Sequence, residues 1–249
     1  MRITSMPTPI LTPSSFPERM VLNRVSNESV VSFKKIWCDE NEIIVQLILE
    51  KLHTYFQPPI LDVGAGIGDI AFRALKNKDV ICLDKNKIDI TEYPLADGHT
   101  REQVDFFFYV PQKKITTVLF SHSLQFLDDD IDLLQRKLDK LSPSIVVIIH
   151  NRNDGLMGEL VKWSLENDPN ANPEIRHDNF PKGYAQINKV DFEATLTCDT
   201  FESLAEQVSY LMLLGSEKET RQSLITFLKS KTLSPQFPIN QSIEIYEKR

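Results

Sequence analysis

Apolar residues fall along this 249-residue chain in two rhythms, and the change from one to the other marks its elements. The first stretch, Met1 to Met20, shows neither rhythm: Pro7, Pro9, Pro13 and Pro17 are spaced among Ser and Thr, which reads as an extended or disordered arm. From Asp39 a helical period begins. Ile44, Leu47, Ile48, Leu52 and Tyr55 share one face, and Asp39 with Glu42 resembles a capping box. Pro58 and Pro59 end that helix, which is expected to pack on the sheet edge or cover a ligand mouth. Short apolar runs then predict strands at Ile60–Val63, Val80–Leu83 (closing on Asp84), Val104–Tyr109, Ile115–Phe120 and Ile145–Ile149. Between them a helix opens near Gly68, and another over Asp128–Leu141 carries Ile131, Leu134, Leu138 and Leu141 on one side. Residues 85–103, with Pro94 and Gly98, predict a short or irregular crossover.

Beyond His150 the texture changes. Leu156–Leu165 reads as a helix and Asp168–Gln186 as a loop rich in Pro, Asn and Gly. Phe192, Ala194, Leu196 and Cys198 alternate with polar residues as a half-exposed strand does. Two helices follow: Asp199 with Glu202 caps the first, Gly215 ends it, and Ser216-Glu217-Lys218-Glu219 opens the second. Ser242–Glu247 alternates again and makes the last strand. Strands alternating with helices specify an α/β fold, doubly wound and mostly parallel, with an antiparallel strand near one edge. The expected division is an arm and cap helix over residues 1–57 and a domain over 58–249, with lid-like insertions at about 168–186 and 199–232.

Composition narrows the function. With 41% hydrophobic and 25% charged residues the chain is an ordinary globular protein. Its net charge of −7 and pI of about 5.3 disfavour a nucleic-acid substrate, because phosphate must be met by a basic face. Lys34-Lys35 and Lys113-Lys114 are isolated pairs read as solvated surface. Cys38, Cys82 and Cys198 are scattered and suggest neither a zinc site nor disulfides. The acids Asp128-Asp129-Asp130 suit a helix start and need no metal. No signal peptide or membrane span is evident, so a cytoplasmic protein is expected.

The chemistry concentrates in Ile60-Leu61-Asp62-Val63-Gly64-Ala65-Gly66-Ile67-Gly68-Asp69. A buried strand ends in an acid, and a glycine turn opens onto a helix. Gly64, Gly66 and Gly68 let the backbone turn sharply and approach a ligand closely. Dinucleotide sites hold a pyrophosphate here and space their third glycine further on. The Gly-x-Gly-x-Gly spacing preceded by Asp62 suits a cationic ligand instead.

This segment resembles the first motif of class I S-adenosylmethionine-dependent methyltransferases, and the likeness extends over roughly Ile60–Ile149. It implies a mostly parallel seven-stranded sheet and S-adenosyl-L-methionine as cofactor. It implies that Asp62, Gly64, Ala65, Gly66 and Gly68 bend around the methionine half. Asp84, ending the second strand, stands where the family's acid takes both ribose hydroxyls, with Lys85 as a wall beside the adenosine. Asp105 and Phe106 resemble the family's acid and hydrophobe at adenine, and Ser121 and His122 follow the fourth strand, at the transfer region. Departures are present too. The fourth strand lacks an acid at its start, and no Asn-Pro-Pro-Tyr or Asp-Pro-Pro-Tyr follows it.

The resemblance implies methyl transfer to an acceptor, and the chain's acidity points to a small molecule. His122 is the candidate base, with pocket shaping or a backbone bond as its bland alternative; His150 at a later strand end is read as structural. Arg152, Arg176, Lys182 and Tyr184 either meet an anionic substrate or lie on the surface, while Trp37, Phe56 and Trp163 are packing residues. Cyclisation or aminobutyrate transfer from the same cofactor, methylation of a protein, and a non-catalytic partner subunit are the competing readings.

Overall fold

The computed structural model describes residues 39–87, 95–127, 131–168, 171, 173, 180–212, 214 and 218–249. The N-terminal arm with Trp37 and Cys38, Asp128 to Asp130, nine residues of the 168–186 loop with Arg176 among them, and Gly215 to Glu217 lie outside them.

Seven strands form one sheet. They are β1 (Ile60–Val63), β2 (Val80–Asp84), β3 (His99–Gln103), β4 (Thr117–Ser121), β5 (Ile145–Asn151), β6 (Tyr184–Thr197) and β7 (Gln236–Lys248), in the order β3-β2-β1-β4-β5-β7-β6. The first five run parallel, and β7 is antiparallel to both β5 and β6. Strands β1, β4 and β5 are covered on both faces, which is why β4 and β5 are mostly apolar and why Asp62 within β1 is itself buried. Register places Asp62 beside Cys82 on one side and Leu119 on the other, so these three share a face of the sheet.

That face is covered by α1 (Glu40–Leu47), which continues through a π-helical turn at Ile48–Leu52 and a 3-10 turn at His53–Tyr55, and by α2 (Asp69–Ala74). Ile44, Ile48, Leu52 and Phe56 pack there with Ile60, Val80, Cys82 and Leu119. On the opposite face α3 (Ile131–Leu141) sets Leu134, Leu138 and Leu141 against Leu61, Val118, Phe120 and Val146. A third core lies where β6 and β7 run on together. There Ala194, Leu196, Phe237 and Ile239 meet α4 (Gly155–Asn167), α5 (Phe201–Leu211) and α6 (Lys218–Lys231). Trp163 packs on Phe227 in that core, with ring centroids 5.6 Å apart. The two helices expected between the last strands are therefore present.

Three expectations need correction. The third strand is His99–Gln103, not Val104–Tyr109: as an edge strand it buries only His99, so no apolar run marks it. Residues after it turn back instead, with Phe108 and Tyr109 both donating to the Asp105 carbonyl. The Asp39–Glu42 capping box does not form. Asp39 Oδ1 accepts from the Thr195 amide of β6 at 2.7 Å, and Glu42 pairs with Arg73 of α2. Thr200, not Asp199, caps α5, its Oγ1 accepting from Ser203 N at 3.1 Å, while Glu202 faces Lys229 at 3.7 Å.

Candidate functional site

In the order β3-β2-β1-β4-β5 the chain reverses direction between β1 and β4, and open sheets bind ligands beyond the carboxyl ends of their strands at such a point. The glycine loop leaves β1 there. Gly64, Gly66 and Gly68 all take left-handed φ angles of +69°, +55° and +77°. Gly64 N and Ala65 N donate to Leu83 O at 2.8 and 3.0 Å, which ties the loop to the end of β2.

Two glycines are needed for different reasons. A Cβ on Gly64 would lie 2.7 Å from Ser123 Cβ, so the loop can press against the turn leaving β4 only without a side chain. A Cβ on Gly66 would meet nothing within 4 Å and would project into open space. Beside that space stands Asp84. Its Oδ2 accepts from Gly66 N at 3.0 Å and its Oδ1 from Asn86 N at 2.8 Å. A carboxylate has about four acceptor sites, so two remain for a vicinal diol.

Asp62 is 3% exposed, on the face beneath α1 and α2. Its charge is felt locally: the Cys82 thiol is pushed up to about 12, first by burial and then by the Asp62 carboxylate, with Arg101 opposing. Arg101 is a residue that sequence reading missed. It lies on β3 in register with Cys82, and its Nη2 donates to Ile67 O at 2.8 Å, bracing the glycine loop from below. Its Nε and Nη1 are buried and make no hydrogen bond among the described residues.

The other predicted residues sort by position. Lys85 is half-buried immediately after β2. Asp105 is half-buried past the end of β3, where Val104 N bonds Asp84 O, and its Oδ1 accepts from Phe107 N at 2.9 Å. Phe106 turns into the core, 3% exposed, edge-on to Phe120 at 5.7 Å between centroids. Ser121 ends β4; its Oγ and that of Ser123 are buried and make no hydrogen bond among the described residues. Two unsatisfied hydroxyls at a strand end are what a polar ligand there would answer.

His122 sits between those serines with φ +50°, a left-handed conformation unusual outside glycine. Its amide donates to Ile149 O at 2.9 Å, so its backbone is fixed between β4 and β5. Its Nε2 lies 2.8 Å from Glu40 Oε1, with only 12% and 8% of the two side chains exposed. Glu40 is the first residue of α1, and its neighbours fasten that helix over the carboxyl edge. Asn41 Nδ2 donates to Asp69 Oδ2 at 3.1 Å, and Glu42 pairs with Arg73. Glu40 was not anticipated, because helical periodicity does not tell a buried Glu40 from an exposed Glu42.

His150 lies within β5, its Nδ1 2.9 Å from Asn151 O and its Nε2 3.6 Å from Glu244 Oε1. Arg152 is paired with Asp154 and with Asp191, Lys182 Nζ stands 3.5 Å from Asp132, and Tyr184 OH donates to Pro143 O at 2.9 Å. Among the described residues no His, Cys, Asp and Glu cluster could hold a metal ion, and no helix is long and apolar enough to cross a membrane.

No protein-family model matches the chain, and no curated protein matches it in sequence. Solved structures do match in shape. The [4+2]-cyclase SpnF superposes with a TM-score of 0.53 at 13% identity, over 84% of this chain and 80% of that one. The MccD protein gives 0.52 at 11% identity, over 84% and 97%. A cyclopropane-fatty-acyl-phospholipid synthase-like protein from Lactobacillus casei gives 0.52 at 10% identity, over 90% and 94%. Likeness at such low identity shows fold. The fold is an α/β, mostly parallel seven-stranded sheet.

Proposed function

We propose that this chain, built on the class I methyltransferase fold, binds S-adenosyl-L-methionine and methylates a small-molecule acceptor. The observation that carries the reading is the Gly66 cradle: backbone held in a left-handed turn, open space in front of it, and the Asp84 carboxylate beside it. The donor set fits the cofactor. Asp62 stands just ahead of the loop as a buried negative charge, suited to an ammonium and a sulfonium and unsuited to pyrophosphate. Gly64, Ala65, Gly66 and Gly68 would form the floor, and Asp84 would take the ribose hydroxyls. Lys85 and Asp105 would border the adenosine, and Phe106 would support that side from within the core. Ser121 and His122 would line the transfer region.

When bound, the cofactor supplies an electrophilic methyl on a positively charged sulfur, released as S-adenosylhomocysteine. The chain's own part is alignment, exclusion of water and handling of one proton. Helix α1, fastened at Asp39, Asn41 and Glu42, would supply the cover on one side of the bound ligand. His122 would accept the proton of a protonated nucleophile such as an alcohol, phenol or ammonium. A net charge of −7 supports a small acceptor over a nucleic acid.

Calorimetry with S-adenosylhomocysteine tests the cofactor, and product analysis tests the reaction. Release of methylthioadenosine in place of S-adenosylhomocysteine would replace methylation by cyclisation or aminobutyrate transfer.

A further inference from the structure

We propose that Lys137 is the positioning residue for the adenine end of the site. From α3 its ammonium holds the Phe107 and Tyr109 carbonyls, and so aims the Asp105 carboxylate to select an amino-purine over an oxo-purine. The purpose rests on the proposed cofactor reading, the substance on the hydrogen bonds of the turn after β3.

Residues 134, 137, 138 and 141 recur on one face of α3, and three of the four are leucines set into the core. Lys137 takes the remaining place and is 9% exposed. A buried ammonium is costly unless its N–H groups find partners. Here Nζ donates to Phe107 O at 3.2 Å and to Tyr109 O, and it stands over the Phe106 ring, 5.7 Å from its centre. All three partners belong to one short stretch of chain. Burial pulls the ammonium below its usual range and Lys140 adds to this, while the Asp105 carboxylate opposes them.

That stretch is the turn that closes on Asp105. The Asp105 carbonyl accepts from Phe108 N and Tyr109 N, both at 3.0 Å, and its Oδ1 accepts from Phe107 N at 2.9 Å. Oδ1 is thus engaged inside the turn, and Oδ2 is the oxygen left for a ligand. The preceding residue, Val104, donates to Asp84 O at 3.0 Å. The two acids therefore stand at adjoining strand ends, in the order in which a ribose and its attached base would meet them. A carboxylate can only accept. It matches the exocyclic amine of adenine and opposes the carbonyl oxygen that hypoxanthine carries at the same position. Selection between those bases passes through Lys137, because letting go of the two carbonyls releases the turn that aims Oδ2.

Two measurements on the full chain test this. The first is amide hydrogen exchange by NMR without ligand. Lys137→Met, close in length but unable to donate, should speed exchange at Phe107, Phe108 and Tyr109 about tenfold or more. Lys140→Met, at an exposed position of the same helix, should leave those amides unchanged. The second is calorimetry with S-adenosylhomocysteine and S-inosylhomocysteine. Wild type should favour the adenine compound by about tenfold or more, and Lys137→Met should lose most of that preference. Asp105→Asn, which keeps the ammonium and the packing, should lose it too and stands in if Lys137→Met does not fold. A lysine that served only stability would weaken both compounds alike. Unchanged exchange in Lys137→Met, or a preference kept in either variant, overturns the proposal. A wild-type chain that binds neither compound removes the cofactor reading and the base selection with it, while the exchange rates judge the hold on the turn separately.

Discussion

Alanine at Gly66 and alanine at Gly64 should damage this protein in opposite ways, and the difference is calculable. Both residues sit at positive φ, where a side chain costs about 1–2 kcal/mol. At Gly66 nothing else is added, since the new Cβ meets no atom within 4 Å. At Gly64 the new Cβ would be 2.7 Å from Ser123 Cβ, about 1 Å inside normal carbon contact. Forcing that much into packed structure costs about 1–3 kcal/mol more, for a total of ~2–5 kcal/mol. Urea unfolding followed by circular dichroism should therefore place Gly64→Ala well below wild type and Gly66→Ala only slightly below it. Calorimetry with S-adenosylhomocysteine should reverse the emphasis. The Gly66 methyl fills the space proposed for the ligand and should weaken binding at least tenfold, about 1.4 kcal/mol, in a protein that remains folded. Undiminished affinity in Gly66→Ala would refute the assignment of the loop as a cofactor cradle. Equal stability of the two variants would refute the packing argument.

Asp84→Ala should weaken S-adenosylhomocysteine by ~1–3 kcal/mol through lost hydroxyl contacts and a loosened Gly66 amide; an unchanged calorimetric constant removes Asp84 from the site. His122→Ala should slow turnover far more than it weakens the cofactor, measured once an acceptor is in hand; equal turnover leaves His122 a lining residue. Burial raises Cys82 from 9.0, and Tyr109 and Tyr184 from 10.0, each to about 12. The folded chain therefore holds protons that the unfolded chain releases, so these three groups leave stability unaffected below about pH 9 and lower it as pH rises toward 12. Urea midpoints across that alkaline window check the sign, and a midpoint that rose with pH would contradict it.

The sequence made the central sheet legible because β1, β2, β4 and β5 are buried and short, so composition alone marks them. The glycine loop and Asp84 were legible because a left-handed turn and a strand-end acid leave residue-type signatures. What escaped was decided by tertiary contact. The edge strand β3 carries polar residues and no apolar run. Asp39 looked like a cap, yet an amide from Thr195, distant in sequence, claims its carboxylate. Glu40 and Arg101 meet partners just after β4 and in the glycine loop, and no local pattern predicts such partners. Phe106, expected with Asp105 at adenine from the family resemblance, packs edge-on against Phe120 in the core, a contact that no local pattern foretells.

The most direct trial of the account is titration of the purified wild-type chain with S-adenosylmethionine, S-adenosylhomocysteine, NAD and ATP in parallel by calorimetry. A loop preceded by the buried Asp62 and followed by Asp84 should take the two sulfur compounds and leave both phosphorylated nucleotides unbound. Uptake of NAD or ATP, with neither sulfur compound bound, would contradict it.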